Sequence, residues 1–365
     1  MPDSYNLGQE KRIFIALPVM LHKKGEIEAF LSAKERIEAK YSSPRSKVEV
    51  GAFSYMLPFT LKEENKISQI ENQKSYRLPL YHVQSPILNE HALTHDSGEE
   101  ARFGVKSRLE EALEHSAKLI DLSRAAPFNL VFDTHAGVFV YPHLDEEHPV
   151  PGVYSVPGFV KNRKRLFDQA AERFSKLKET GDSYGIEVVL ENEPIVSVEP
   201  SRILSESGAP RIGFKPFADP EDLNTISSIH TFDSSHYAVA RSVPSRFEIN
   251  NLSPESLFKV FNINSWEEYR NRICVAEDYQ NGLRAIHLSN TEGVGIHLTD
   301  EEEISKWGRD GTVEGELSQE ELKSAVNLAA SRGIPAVLEV DYNLKKIPDN
   351  KFIEADAFLD YVFKE

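Results

Sequence analysis

The chain has 365 residues, 58 of them acidic against 42 basic, and its formal charge of −16 counts against a broad nucleic-acid or anionic-membrane footprint, which needs clustered Lys and Arg. Hydrophobic residues make up 40% and charged residues 27%, a balance that supports a real core, and no apolar run approaches the ~18–20 residues of a membrane span. The one cysteine, Cys274, excludes an internal disulfide framework and any cysteine-based zinc site. Residues 1–11 lack the basic start and apolar core of a signal peptide, so the expectation is a cytoplasmic protein.

Taken in order, eight short apolar runs end on polar or turn residues: 12–20, 47–54, 76–83, 128–137, 186–194, 225–236, 283–290 and 334–342. Their near-continuous apolar character is that of parallel strands buried on both faces. Helix-period segments lie between them. Residues 26–41 place Ile27, Phe30, Leu31 and Ile37 on one face, and 107–122 do so with Leu109, Leu113, Leu119 and Ile120. Residues 163–177 carry Leu166, Ala170, Phe174 and Leu177. Ser318 with Glu321 predicts a capping box, Gly333 a helix stop, and 351–363 a closing helix. The helix between strands five and six is poorly marked. Alternating strands and helices predict an α/β fold, a (β/α)8 TIM barrel spanning residues 1–365 as one domain. The length beyond the ~250 residues usual for that fold falls at 84–105, 138–160, 192–222 and 291–317, in loops that extend the C-terminal face, where such barrels build their sites.

The strand ends carry the chemistry. Strand three offers His82, strand four His135 with Asp133, and strand five Glu191, Asn192 and Glu193. Strand six offers Asp233 and His236, strand seven His287, and strand eight Glu339 and Asp341. A lone strand-end histidine is ordinarily a hydrogen-bonded structural residue. Six consecutive strands bearing such a group at the same end need a common cause, and a mixed set of imidazoles and carboxylates suits Zn²⁺, Mn²⁺ or Co²⁺.

The segments VVLENEP, FDSSHYAVA, AIHLSN and AVLEVDY, in that order on strands five to eight, resemble the xylose isomerase-like barrels, the superfamily of endonuclease IV and of sugar isomerases and epimerases. The resemblance covers roughly residues 76–342. It implies a divalent metal held by Glu191, Asp233, His287 and Glu339, with His236 facing substrate or a further ion. His82 and His135 match the pair that holds a second ion in the endonuclease IV (AP endonuclease) branch. After His287 that branch expects Asp-x-His; this chain has GIHLTDEEEISKWGRDGTVEGE, where Trp307 or His297 stands in the histidine's region.

The reading is a metal-dependent isomerase or epimerase of a small sugar, sugar phosphate or polyol-like substrate, working through an enediolate. Glu191 and Glu339 form the acid/base pair, His236 orients a substrate oxygen, and His135, Asn192 and His82 are further substrate contacts. A two-ion phosphodiesterase, or another hydrolase, is the runner-up, and a non-catalytic ligand-binding barrel the third reading. Acidic stretches at 60–73, 141–152 and 299–305, read as loops near the mouth, oppose phosphate neutralisation and so count against DNA. Lys215 and Arg309 are weak candidates for a phosphate contact, and Trp266 reads as packing. No nucleotide-binding glycine pattern is present.

Overall fold

The computed structural model describes residues 11–56, 61–85, 105–142, 144, 152–199, 211–218, 220–273, 282–294, 310–312, 314–339 and 348–363. The first half of the chain runs β1 (Lys11–Pro18), α1 (Lys24–Tyr41), β2 (Ser46–Tyr55), α2 (Glu63–Tyr76), β3 (Leu80–Gln84), α3 (Val105–Leu122) and β4 (Leu130–Thr134). Then come β5 (Phe139–Tyr141), β6 (Val153–Ser155), α4 (Val156–Ser183), β7 (Ile186–Glu191), β8 (Val196–Glu199), β9 (Arg211–Phe214) and α5 (Pro220–Asn224). The remainder is β10 (His230–Asp233), α6 (Ser234–Ile249), α7 (Glu255–Phe261), α8 (Trp266–Arg272), β11 (Leu283–Leu288), β12 (Asn290–Thr291), β13 (Asp310–Thr312), α9 (Gln319–Arg332), β14 (Pro335–Leu338) and α10 (Pro348–Phe363).

Eight of these strands close a parallel barrel in the order β1-β14-β11-β10-β7-β4-β3-β2, which is the (β/α)8 architecture expected from the alternation. Two apolar cores hold it. Outside the strands, Ile15, Leu17 and Val50 pack with helix residues such as Phe30, Phe174 and Leu359, all buried. Inside, Phe14, Ala16, Phe53, Tyr81, Val131, Val189, Ala285 and Val337 form a separate plug. The rings of Phe14, Tyr81 and Phe128 meet edge to face, with centroids 5.0–6.1 Å apart. Gly51 makes that plug possible: a Cβ there would stand 2.4 Å from the Tyr81 ring.

Two β-bulges set the register around the plug. Ala52 pairs with Leu80 but Phe53 with His82, so β3 carries Tyr81 as an extra residue, and both Tyr81 and His82 turn inward. The second bulge, at Arg284 on β11, brings Thr231 level with Ala285 and Asp233 level with His287.

The helices start where the sequence marks them. Ser318 and Glu321 complete the capping box of α9, and Gly333 ends it in the left-handed region at φ 64°. Trp266 opens α8 after its Ser265 cap and packs on Phe247, Phe258 and Tyr269, as expected of a packing residue. The stretch 60–73, read as an acidic loop, is instead largely helix α2. Its buried face is polar, which hides the helical period: Gln69 pairs with His115 at 2.7 Å, and the Gln73 amide donates to the Leu78 carbonyl and to Ser123. The weakly marked helix between strands five and six is the five-residue α5. Length there goes into β8 and β9, which join β5 and β6 in a four-stranded sheet built from the segments that follow β4 and β7. No described helix is long and apolar enough to cross a membrane.

Candidate metal centre

The site lies one pleat above the plug. Side chains two residues apart on a strand share a face, and five strands repeat the same step from apolar or hydroxyl to ionisable. These pairs are Val131 to Asp133, Val189 to Glu191, Thr231 to Asp233, Ala285 to His287 and Val337 to Glu339. The resulting groups are buried, except that the Glu339 side chain keeps 14% of its surface and so faces the mouth.

Three sets of ligand-type atoms gather within 4.8 Å of one another: Glu191–Asp233–His287–Glu339, His82–Asp133–His287, and Asp133–His135–Glu191. In the first, His287 Nδ1 stands 3.2 Å from Glu191 Oε1, 3.5 Å from Glu339 Oε1 and 3.7 Å from Asp233 Oδ2. Ligands held tetrahedrally at ~2.1 Å from one ion are roughly 3.4 Å apart, so these edges bracket that spacing.

Asp233 answers why a strand should end on DSSH. It is the last residue of β10 and the N-cap of α6: Oδ1 accepts from the His236 amide at 2.9 Å and from Ser235 Oγ at 2.8 Å. Oδ2 is buried without a hydrogen-bond partner and faces the cluster. One carboxylate thus serves both as polar turn and as ligand candidate. Asn192 locks the neighbouring strand end, accepting from the Asp233 amide at 2.6 Å and donating to its carbonyl at 3.1 Å. His236 Nδ1 lies 2.7 Å from the Asn192 carbonyl and donates to it, which makes Nε2 the acceptor of the neutral ring.

His135 Nε2 meets Glu191 Oε2 at 2.6 Å, and Gln84 donates to the same oxygen at 3.3 Å. Deeper, His82 Nε2 and His287 Nε2 are hydrogen-bonded at 2.9 Å beside the Phe53 ring, and Asp133 Oδ2 is 3.7 and 3.6 Å from them. Burial pushes Asp133 well above the usual carboxylate range, and the charge of Glu191 adds to this. Burial also tends to raise Glu191, but the imidazoles of His287 and His135 outweigh it and hold that carboxyl well below the usual range. Burial lifts Glu339, and burial lowers His82 with His287 adding to it. For His287 burial works downward, but Glu339 and Glu191 raise it well above an ordinary histidine.

The donor set fits a divalent ion. Both oxygens of Asp133, Glu191 Oε1, Asp233 Oδ2 and His287 Nδ1 are buried without a hydrogen-bond partner. Buried carboxylates are retained when something cationic compensates them, and imidazole with carboxylate is a set for zinc, manganese or cobalt. The eight residues given metal, catalytic or substrate roles from the sequence all lie in or beside this cluster, while Asp341 lies outside the described residues. Asp133, seen there only beside His135, belongs to two of the three sets; Val131, two residues before it on the same face, is the signal that marks it. Tyr55, whose hydroxyl donates to Glu339 Oε1 at 3.3 Å, carried no sequence signal. Lys215 is buried, 4.0 Å from Glu193 Oε2 and 4.6 Å from the centre of the Phe139 ring. His297, Trp307 and Arg309 lie outside the described residues.

A small open pocket adjoins His236, lined also by Asn192, Glu193, Ile195, Tyr237 and Arg272.

No protein-family model and no curated protein matches the chain. Three solved structures are among those it resembles. The TTHB071 protein from Thermus thermophilus, soaked with zinc chloride, is 17% identical, with 95% of this chain and 97% of that one covered and a TM-score of 0.47. A D-tagatose 3-epimerase-like protein is 17% identical over 96% and 98%, at 0.45. A xylose isomerase domain protein from Planctomyces limnophilus is 10% identical over 97% and 98%, at 0.48.

Proposed function

We propose that the chain is a divalent-metal-dependent isomerase or epimerase of a small sugar, sugar phosphate or polyol-like substrate. The observation that carries this is the set Glu191, Asp233, His287 and Glu339, four ligand-type groups at the ends of four barrel strands. Their ligand atoms lie within 4.8 Å of one another, with three oxygens 3.2–3.7 Å from His287 Nδ1. These residues would hold zinc, manganese or cobalt, and the bound ion supplies electrostatic stabilisation for negative charge developing on substrate oxygens.

The acid/base work falls to the two glutamates. Both stand beside His287, Glu191 Oε1 at 3.2 Å and Glu339 Oε1 at 3.5 Å from its Nδ1. Ionised Glu191 removes the proton next to the substrate carbonyl; the C–H electron pair becomes the enediolate double bond. Glu339, whose Oε1 accepts from the Tyr55 hydroxyl, returns a proton to carbon. His236 orients a substrate hydroxyl from the side of the open cavity, with His135 and Asn192 beside it.

The test is elemental analysis of chelator-free wild type and Glu191→Gln protein, with a panel of ketoses and aldoses. The expected result is a bound transition metal in wild type, depleted in the variant, and turnover reduced by about 10²–10⁴-fold. Turnover that survives chelation, or failure to take up metal supplied in excess, overturns the reading. A second reading, a two-ion phosphodiesterase, is favoured by one observation: Glu191 is shared between the first set and Asp133–His135–Glu191. Two equivalents of metal together with cleavage of a phosphodiester would establish it in place of the isomerase.

A further inference from the structure

His287 sits between two of the ligand-type sets. Its Nδ1 faces the oxygens of Glu191, Glu339 and Asp233, and its Nε2 faces His82 and Asp133. A neutral imidazole has one ring proton, and only the other nitrogen has a lone pair for an ion. If Nδ1 takes the ion proposed above, on which this inference rests, the proton is on Nε2. Within hydrogen-bond distance of Nε2 is His82 Nε2, at 2.9 Å. The Asp133 carboxylate, at 3.6 Å, is beyond it.

We propose that His82 is a positioning residue and not a metal ligand: its Nε2 accepts the Nε2–H of His287 and thereby holds the Nδ1 lone pair of His287 toward the three carboxylates. The ring proton of His82 then stands on its own buried Nδ1. Metal-bound histidines usually give their second N–H to a carboxylate, a carbonyl or water. Here an imidazole takes that place. The bulge at Tyr81 is what turns His82 inward to do so, and the Phe53 ring, 5.1 Å from His82 and 5.9 Å from His287, closes the pair off from the apolar side. The set His82–Asp133–His287 has the look of a second ion site, but His287 cannot serve two ions without losing its last ring proton.

The experiment compares wild type, His82→Gln and His82→Leu. Manganese and zinc affinity is measured by competition with a chromophoric chelator, stoichiometry by elemental analysis, and the His287 tautomer by ¹⁵N NMR of histidine-labelled, zinc-loaded wild type. The glutamine carbonyl can still accept from Nε2–H, whereas leucine cannot. The expected result is an affinity lower by about 10–100-fold in His82→Leu, most of it recovered in His82→Gln, with the same number of ions bound throughout. The wild-type spectrum should show His287 protonated at Nε2. Loss of one equivalent in both variants would make His82 a ligand and overturn the proposal. So would unchanged affinity in His82→Leu, or a His287 ring protonated at Nδ1 or at neither nitrogen. Wild type that binds no metal overturns the centre itself, and this inference with it. Should His82→Leu fail to fold, the wild-type spectrum and His82→Gln still decide.

Discussion

The lower and upper halves of the barrel interior are built by the same strands and obey opposite rules. Below, Phe14, Phe53, Tyr81, Val131, Val189, Ala285 and Val337 fill the space with apolar side chains in mutual contact. One pleat above, Asp133, Glu191, Asp233, His287 and Glu339 crowd four carboxylates around an imidazole, several of their atoms without hydrogen-bond partners. The lower layer follows the rule of core packing. The upper layer violates the rule that buried polar groups are satisfied, and such violations mark the place where a fold gives up stability for function. The two layers therefore separate apolar packing from a cluster of ligand-type groups along one axis.

The largest test of that separation is Phe14→Ala. Truncating a buried aromatic costs about 3–5 kcal/mol, and the expected outcome is a loss of that size in denaturant unfolding with metal affinity within about twofold of wild type. A variant that lost stability and metal together would show that the plug sets the ligand geometry, and the comparison would fail.

Asp133→Asn probes the upper layer from the other side. In chelator-treated protein it replaces a buried carboxyl, raised by burial and by Glu191, with a neutral amide. Folding near neutral pH then no longer has to protonate or desolvate that carboxylate, so stability should rise by about 1–3 kcal/mol, the scale of a buried group's desolvation penalty. Thermal melts in chelator check this. A fall in stability would mean that Asp133 supports the fold and belongs with the plug.

Much of this division was legible in the sequence. The eight strands, the capped α9 and the strand-end groups are local patterns, and the plug residues sit two positions before the site residues in most runs. What was not legible is non-local. Helix α2 buries glutamines whose partners, His115 and Ser123, lie on and just after α3, so its period reads as polar. The inward turn of His82 depends on a bulge set by pairing with β2, which no single run can reveal. Asp133 was in view, but the histidine beside it drew the assignment; the two-residue step from Val131 ranks them together.

The smallest expected effect concerns pH, and it separates the site from the helix layer. His115, buried against Gln69, is lowered by burial to about 4, with the nearby charges of Lys66 and Lys118 adding to it. Its unfolded counterpart takes up a proton near pH 6.5, so folded protein binds fewer protons between about pH 6.5 and 4. Stability from this group is full above pH 6.5, is lost as pH falls through that window, and falls no further below about pH 4. Asp133 has the opposite sign in metal-free protein. Its raised carboxyl binds a proton in the folded state while the unfolded one is still ionised, so falling pH offsets part of the loss until the ordinary carboxylate range is reached. In chelator, His115→Gln should therefore flatten the stability-against-pH curve between pH 6.5 and 4 by about 1 kcal/mol per unit, a little under the full 1.4 kcal/mol of one proton. Asp133→Asn should steepen the same limb. If His115→Gln leaves the curve unchanged, His115 does not set the acid limb, and either His230, which burial also lowers to about 4, or the cluster above the plug carries it.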